Sequence, residues 1–293
     1  MAKYEATVDP ENENTSQSVL LDLVGRHKSV LDVGCATGYL GEALIARGCT
    51  VTGIEIDSEA AEEARTRLDR VIVGDLATLD LDAVLGSDRF DVVLMGDVLE
   101  HMADPAALLL RAASLLNPGG SVVISIPNVG HGSVRLALLQ GRWQYKDRGL
   151  LDRTHLRFFT RPAVEALVRD AGLRIVDMRA TTSDPLGSEV EVDPAELPPG
   201  VVDWVRAQPD TNVYQFVLRA VPDDGFGLPD TLLAERDELR RQLTDLQAAN
   251  VDLQRQRDVA RRDVEVMRAT RGWRVVERIR RLVPSRRQAG PTR

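Results

Sequence analysis

Apolar and polar residues fall into blocks along most of this chain, and the period changes from block to block in a regular order. Val19, Leu20, Leu23 and Val24 recur at helical spacing after Thr15 and Ser16, either of which can cap a helix N-terminus. This predicts a helix over 15–25. Short apolar runs then alternate with helix-period stretches: strand 29–33, helix 39–47, strand 50–54, helix 58–68, strand 70–73, strand 90–95, helix 104–116 and strand 121–126. The last helix ends at Asn117-Pro-Gly-Gly, a turn sequence. The strand runs lack a clean two-residue alternation, as expected where helices cover both faces of a parallel sheet. The predicted fold class is α/β, a doubly wound, mostly parallel sheet.

The pattern becomes irregular between 128 and 160, where Arg, His and aromatic residues accumulate. A helix at 161–171 and a strand at 173–178 resume it. Residues 181–211, rich in proline and acids, are predicted as a loop or insertion, and Val213–Ala220 as a final strand. Beyond a linker at 222–230 the period changes again. Leu232, Leu239, Leu246, Leu253, Ala260 and Met267 fall every seven residues, with Arg236, Leu243, Asn250, Arg257 and Val264 at the partner positions. This is a coiled-coil heptad over 231–270, and an Asn at an a position favours a parallel, in-register dimer. The alternative is one long solvated helix. Residues 271–293 form a basic amphipathic tail, with Trp273, Val276 and Ile279 on one side and Arg274, Arg278 and Arg281 around the other. Such a helix can lie on an anionic membrane surface or cap the coiled coil.

Charge sharpens this division. The net charge of −8 conceals nine Arg and one Glu in residues 268–293, so the first 267 residues carry −16. An acidic body offers no footprint for nucleic acid. The two cysteines, Cys35 and Cys49, have no metal-ligand spacing, and no metal site is predicted. The N-terminus lacks the apolar core of a signal peptide. The expectation is a reduced, cytoplasmic protein, with the tail as its point of contact with the inner membrane face.

The chemistry is concentrated in Val30-Leu-Asp-Val-Gly34-Cys-Ala-Thr-Gly38-Tyr-Leu-Gly41, followed by Val51-Thr-Gly-Ile-Glu55. A strand, a glycine turn, a helix and a second strand ending in an acid make a nucleoside-binding half-site. A dinucleotide fingerprint needs Gly-x-Gly-x-x-Gly, whose second glycine lets the backbone approach a pyrophosphate. Here that position is Ala36, which favours a ligand without one. The motif resembles the first motif of the class I S-adenosylmethionine-dependent methyltransferases. Three further runs resemble the same family in order: Val73-Gly-Asp75-Leu76, Phe90 to His101, and Leu116 to Pro127.

The resemblance implies a Rossmann-like seven-stranded sheet whose last strand is antiparallel, with S-adenosyl-L-methionine as cofactor. It places the methionine part against the turn of Asp32, Gly34, Ala36 and Gly38, and the ribose diol on Glu55 beside Ile56. Asp75 would take the adenine amino group while Leu76 covers the ring. Met95, Gly96 and Asp97 would wall the reactive end. His101, in the same run, reads as a structural residue at the start of a helix.

The acceptor should lie beyond the carboxyl ends of the strands. Asn128 and His131 are candidates there, as are Arg142, Trp143, Tyr145 and Arg157. The last four belong to a segment similar to a Gly-Leu-Leu-Asp-x-Thr-His-x-Arg-Phe-Phe-Thr run in bacterial members of the type 11 and type 12-like groups. His155, oriented by Asp152, is the candidate base; the competing reading is a structural cluster that joins a lid to the sheet. The leading functional expectation is methyl transfer to a hydroxyl of a sugar or surface glycan. The alternatives are O- or C-methylation of a quinone, polyketide or other small metabolite, and a catalytically silent coiled-coil scaffold.

Overall fold

The computed structural model describes residue 12, residues 14–223 and six helical positions between 242 and 257. The predicted linker, coiled coil and basic tail otherwise lie outside the described residues. Helix α1 (Ser16–Val24) is capped by the Thr15 side chain, which accepts from the Ser18 N–H. The alternation then runs β1 (Ser29–Val33), α2 (Tyr39–Ile45), β2 (Thr50–Glu55), α3 (Ser58–Ala64), β3 (Arg70–Val73), α4 (Leu81–Leu85) and β4 (Phe90–Gly96). After a 3-10 turn at Leu99–His101 come α5 (Pro105–Ser114), β5 (Leu116–Pro127), α6 (Gly132–Leu139), α7 (Arg161–Asp170) and β6 (Leu173–Thr182). A 3-10 turn at Pro194–Glu196, α8 (Val201–Arg206) and β7 (Val213–Pro222) complete the order.

The seven strands form one sheet in the order β3-β2-β1-β4-β5-β7-β6. Pairings from β3 to β5 are parallel, and β7 runs antiparallel between β5 and β6. The antiparallel last strand is therefore present, but inside the sheet, with β6 at its edge. Period-2 geometry sorts each strand into two cores. Val30, Val51, Val92, Leu94 and Val123 pack with Leu20, Leu40 and Leu44 from α1 and α2. Leu31, Val33, Val93, Met95 and Ile124 face the other way, against Leu108 and Leu109 of α5 and Val164 and Val168 of α7. Asp32 shares the parity of Val30, so the pleat carries a carboxylate into the interior; it is 3% exposed.

Several boundaries differ from the sequence reading. Asn117-Pro-Gly-Gly is not a turn before β5 but an irregular stretch within it: the register moves from Phe90↔Leu116 to Val92↔Ser121, and Gly119 takes φ +79. Residues 128–160 contain α6, which lacks a clean period because Leu138 and Leu139 are exposed while Val134, Leu136 and Ala137 are buried. The stretch 181–211 is not all loop, since α8 packs Val205 with Leu136 and Leu197 in a satellite cluster.

Candidate active site

The strand β1 delivers the chain into the glycine turn at the sheet's carboxyl edge. Gly34, Ala36 and Gly38 all take positive φ, at 77°, 49° and 80°. At Gly34 a side chain is excluded twice, by the left-handed backbone and by Val98 Cγ2, which would lie 2.8 Å from a Cβ. The turn is tied to β2 through the Gly34 and Cys35 amides, which both donate to the Ile54 carbonyl.

Glu55 is the hub of this connection. Its Oε2 accepts from the Ala36 N–H at 2.8 Å, and its Oε1 accepts from the Ile56 and Asp57 amides at 2.9 and 2.8 Å. A carboxylate has about four lone-pair positions, so a bound diol must share Oε1 or displace a backbone donor from it. Asp57 has a different task, capping α3 through the Glu59 and Ala60 amides. Ile56 is 64% exposed despite its apolar side chain, and Asp75 is exposed with its Oδ1 accepting only from the Ala77 amide. Leu76 is half-buried beside it, so an exposed apolar surface and an exposed acid lie beyond the ends of β2 and β3.

Two buried polar atoms at the turn have no hydrogen-bond partner, Asp32 Oδ2 and Thr37 Oγ1. Burial, and secondarily the charge of Glu55, push the Asp32 carboxyl up to about 7. A buried acid without a donor is stabilised by a cationic group, and a hydroxyl without a partner by an acceptor. The ammonium and carboxylate of an amino acid supply both. A glycine cradle, two orphaned polar atoms and an acid at the end of β2 thus fit S-adenosylmethionine.

Beyond Met95, which is fully buried, Gly96 leads into Asp97, a non-glycine residue at φ 56. Asp97 Oδ1 accepts from Ser125 Oγ at 2.7 Å and Gln215 Nε2 at 2.9 Å. Burial raises its pKa, and the two hydrogen bonds oppose that rise. Asp97 lines a cleft of about 470 Å3 together with residues 14–17 before and in α1, 181–183 from the end of β6, 187–189, and Tyr214 and Gln215 of β7. Each of these thirteen residues is a hydrogen-bonding residue or glycine. Sequence reasoning named Asp97, as a wall of the donor's reactive end, and none of the others, which share no motif and come from four separate segments.

The six predicted acceptor residues are not among those lining this cleft. Asn128 is buried, donating to the Asp210 and Val213 carbonyls and accepting from the Gly130 N–H. His131 is also buried, with Nδ1 on Ser133 Oγ and Nε2 on the Ser183 carbonyl. Arg142 pairs with Glu196 at 2.6 Å, and the Arg157 guanidinium donates to the Ala103 carbonyl. Trp143 packs edge-on against Tyr145 and Phe158. Asp152 Oδ1 accepts from the Thr154 N–H and Oγ1. His155 stands edge-to-face on His101 with ring centroids 4.9 Å apart, and with Glu100 these two histidines form a group of three ligand-capable side chains. The sequence could not show that group, because 54 residues separate His101 from His155.

A methyltransferase-domain family model matches residues 14–178 of this chain. A ubiquinone biosynthesis O-methyltransferase from Thiobacillus denitrificans is 34% identical over 164 residues, 54% of this chain and 70% of that protein. Its counterpart from Azotobacter vinelandii is 35% identical over 178 residues, 57% of this chain and 75% of that one. Among solved structures, magnesium protoporphyrin IX methyltransferase from Synechocystis with bound S-adenosylhomocysteine aligns at 18% identity and TM-score 0.48, over 75% of this chain and 90% of that one. The chain belongs to the class I S-adenosylmethionine-dependent methyltransferases, and S-adenosylmethionine is its methyl donor.

Proposed function

We propose that this enzyme methylates a hydroxyl of a polar, hydroxyl-rich small molecule, such as a sugar, bound in the cleft beside Asp97. The cleft's lining carries the reading, since twelve of its thirteen residues bring hydrogen-bonding side chains that match an acceptor rich in hydroxyls. Eight of its thirteen residues lie beyond residue 178, where the methyltransferase-domain match ends. The names of the curated relatives favour a second reading, the phenolic hydroxyl of a quinone precursor.

The donor supplies a methyl group on a positively charged sulfur. Asp32, Thr37 and the glycine turn hold its amino acid part, Glu55 its ribose, and Asp75 with Ile56 and Leu76 its base. Transfer is then an in-line displacement that depends on alignment. A hydroxyl acceptor must also lose its proton. Two carboxylates line the cleft: Glu189 accepts from the Leu150 N–H and the Tyr214 hydroxyl on its two oxygens, whereas the Ser125 and Gln215 hydrogen bonds to Asp97 both fall on Oδ1, so Asp97 takes the role of base. The base assignment therefore moves from His155 and Asp152 to Asp97. Asn128, His131, Arg142, Trp143, Tyr145 and Arg157 act in this proposal by holding the framework around the cleft. Residues 231–270 form a parallel dimer in the same proposal; deleting 230–293 should give a monomer by light scattering that still binds donor.

The test is release of S-adenosylhomocysteine with panels of monosaccharides, nucleotide sugars and catechols. Turnover on the saccharides supports the polar-acceptor reading. Turnover confined to catechols replaces it with the second. Failure to bind the donor at all would leave a silent scaffold.

A further inference from the structure

The lining of the cleft beside Asp97 includes two acids, Asp97 and Glu189, and no lysine, arginine or histidine. The hydrogen bonds these carboxylates accept come from neutral donors: Ser125 and Gln215 on Asp97, Leu150 and Tyr214 on Glu189. Asp184, beside the rim, is by contrast matched by Arg206 at 3.0 Å. His131 meets the Ser183 carbonyl behind the wall, and burial holds it towards its neutral form. His101 acts on Asp97 more weakly than burial and the two hydrogen bonds do. The first turn of α1 adds about half a positive charge at most, against two full negative ones.

Glu189 is built into place. Its Oε1 accepts from the Leu150 amide at 2.7 Å and its Oε2 from the Tyr214 hydroxyl at 2.9 Å. Gly149 takes φ +93, and a Cβ there would collide with Glu189 Oε1, so the carboxylate fills space that only a glycine leaves open. Burial, and secondarily the charge of Glu189, push the Tyr214 hydroxyl up, so it stays protonated and donates. A carboxylate has about four lone-pair positions, which leaves each Glu189 oxygen one for a ligand. Thr181 lines the same cleft at 4% exposure, and its hydroxyl has no hydrogen-bond partner among the described residues. A buried hydroxyl of this kind is satisfied by a polar group of the ligand.

We infer that the acceptor is an amino sugar or related amino polyol, whose ammonium is held by Glu189 while the hydroxyl to be methylated faces Asp97. The chemistry of this inference rests on the methyl-transfer reading; the binding does not. A charge-assisted hydrogen bond is about twice as strong as a neutral one, so the ammonium sets the orientation of the ring. Uronic and phosphorylated sugars bring further negative charge into the cleft and are rejected. The pairing also fixes where the methyl goes. An ammonium bound to a carboxylate has no free electron pair with which to attack the methyl carbon. The hydroxyl gives its proton to Asp97, its oxygen bonds to the methyl carbon, and the carbon–sulfur electron pair returns to sulfur. The products are the methyl ether with its ammonium intact, S-adenosylhomocysteine and one proton.

The experiment titrates full-length protein, saturated with S-adenosylhomocysteine, by calorimetry. The probes are glucosamine, galactosamine and mannosamine, against glucose, galactose, mannose and glucuronic acid. At least one amino sugar should bind ten times or more tightly than its neutral counterpart, and glucuronic acid should not bind. Glu189→Gln, shown to be folded by its melting curve and to bind donor as wild type does, should lose that preference and bind the neutral sugar as before. With S-adenosylmethionine, nuclear magnetic resonance of the product should place the methyl on oxygen. No binding of any amino sugar, equal affinity for the neutral counterpart, or a preference that survives in Glu189→Gln would overturn the inference; the wild-type preference tests it without any variant. A methyl on nitrogen would overturn the role of Glu189. Turnover of neutral sugars with no preference would remove the inference and leave the polar-acceptor reading. Glu189-dependent binding of an amino sugar without methyl transfer would instead remove the methyl-transfer reading of the cleft and leave the ammonium site standing.

Discussion

Replacing Asp32 with Asn should make the donor-free protein more stable above neutral pH and a poorer binder of the donor. The carboxyl is buried against the apolar face shared with Val30, its Oδ2 has no partner, and its pKa is raised from 3.8 to about 7. Desolvation is the larger cause and the charge of Glu55 the second. The folded protein therefore holds this proton over a range where the unfolded chain has released it. Stability attributable to Asp32 must fall as pH rises from about 4 to about 7, and the fall stops once the folded carboxyl is ionised. A separation of about three pH units corresponds to at most about 4 kcal/mol. Asn matches Asp in shape and does not ionise. Urea unfolding of the two proteins without donor should give little difference near pH 3, and a gap in favour of the variant that widens to between about 1 and 4 kcal/mol by pH 8. Saturating donor should narrow the gap, because the wild-type carboxylate gains a cationic partner that Asn cannot use. A stability difference independent of pH would refute the reasoning about burial. A variant that binds donor as tightly as wild type would refute the role of the charge.

Three further perturbations probe the frame around the site. Gly34→Ala should lose donor affinity and about 1–3 kcal/mol of stability through left-handed backbone and the contact with Val98, and adding Val98→Ala should restore part of the stability in denaturant titrations. Arg161→Ala should cost about 3–5 kcal/mol in the same assay, because it strands Asp210, whose carboxylate takes three guanidinium contacts at 2.7–3.0 Å in a nearly buried pair. Asn128→Ala should destabilise by about 2–4 kcal/mol, since two carbonyls and one amide lose their buried partner. If Asn128 instead contacts the acceptor, KM for the acceptor will rise in the folded variant while the unfolding midpoint stays put.

What the sequence disclosed follows from the range of the interactions involved. Asp32, Gly34 and Glu55 were legible because a turn closing on itself needs particular residues at fixed offsets, and the order of strands followed from buried apolar runs. Helix α6 was hidden because two of its leucines face outward and blur the period. The antiparallel direction of β7 came from a family resemblance and not from any pattern in its ten residues, and its place inside the sheet, between β5 and β6, was legible from neither. The acceptor cleft was harder still. Gln17, Thr182, Glu189 and Gln215 are ordinary surface-type residues until the sheet brings the ends of β6 and β7 beside Asp97. Asn128 and His131 stand where acceptor residues were expected, but their buried polar atoms are spent on carbonyls and hydroxyls of neighbouring loops. The pairing of His155 with His101 crosses 54 positions and carries no local signal.

The central claim is that the glycine turn and Glu55 form the site of S-adenosylmethionine. Isothermal calorimetry of the wild-type protein and Glu55→Ala with this ligand tests it most directly. The account predicts one site per wild-type chain and an affinity at least tenfold lower in the variant, a loss of about 1.4 kcal/mol or more. No binding to wild type, or equal binding to both proteins, would contradict it.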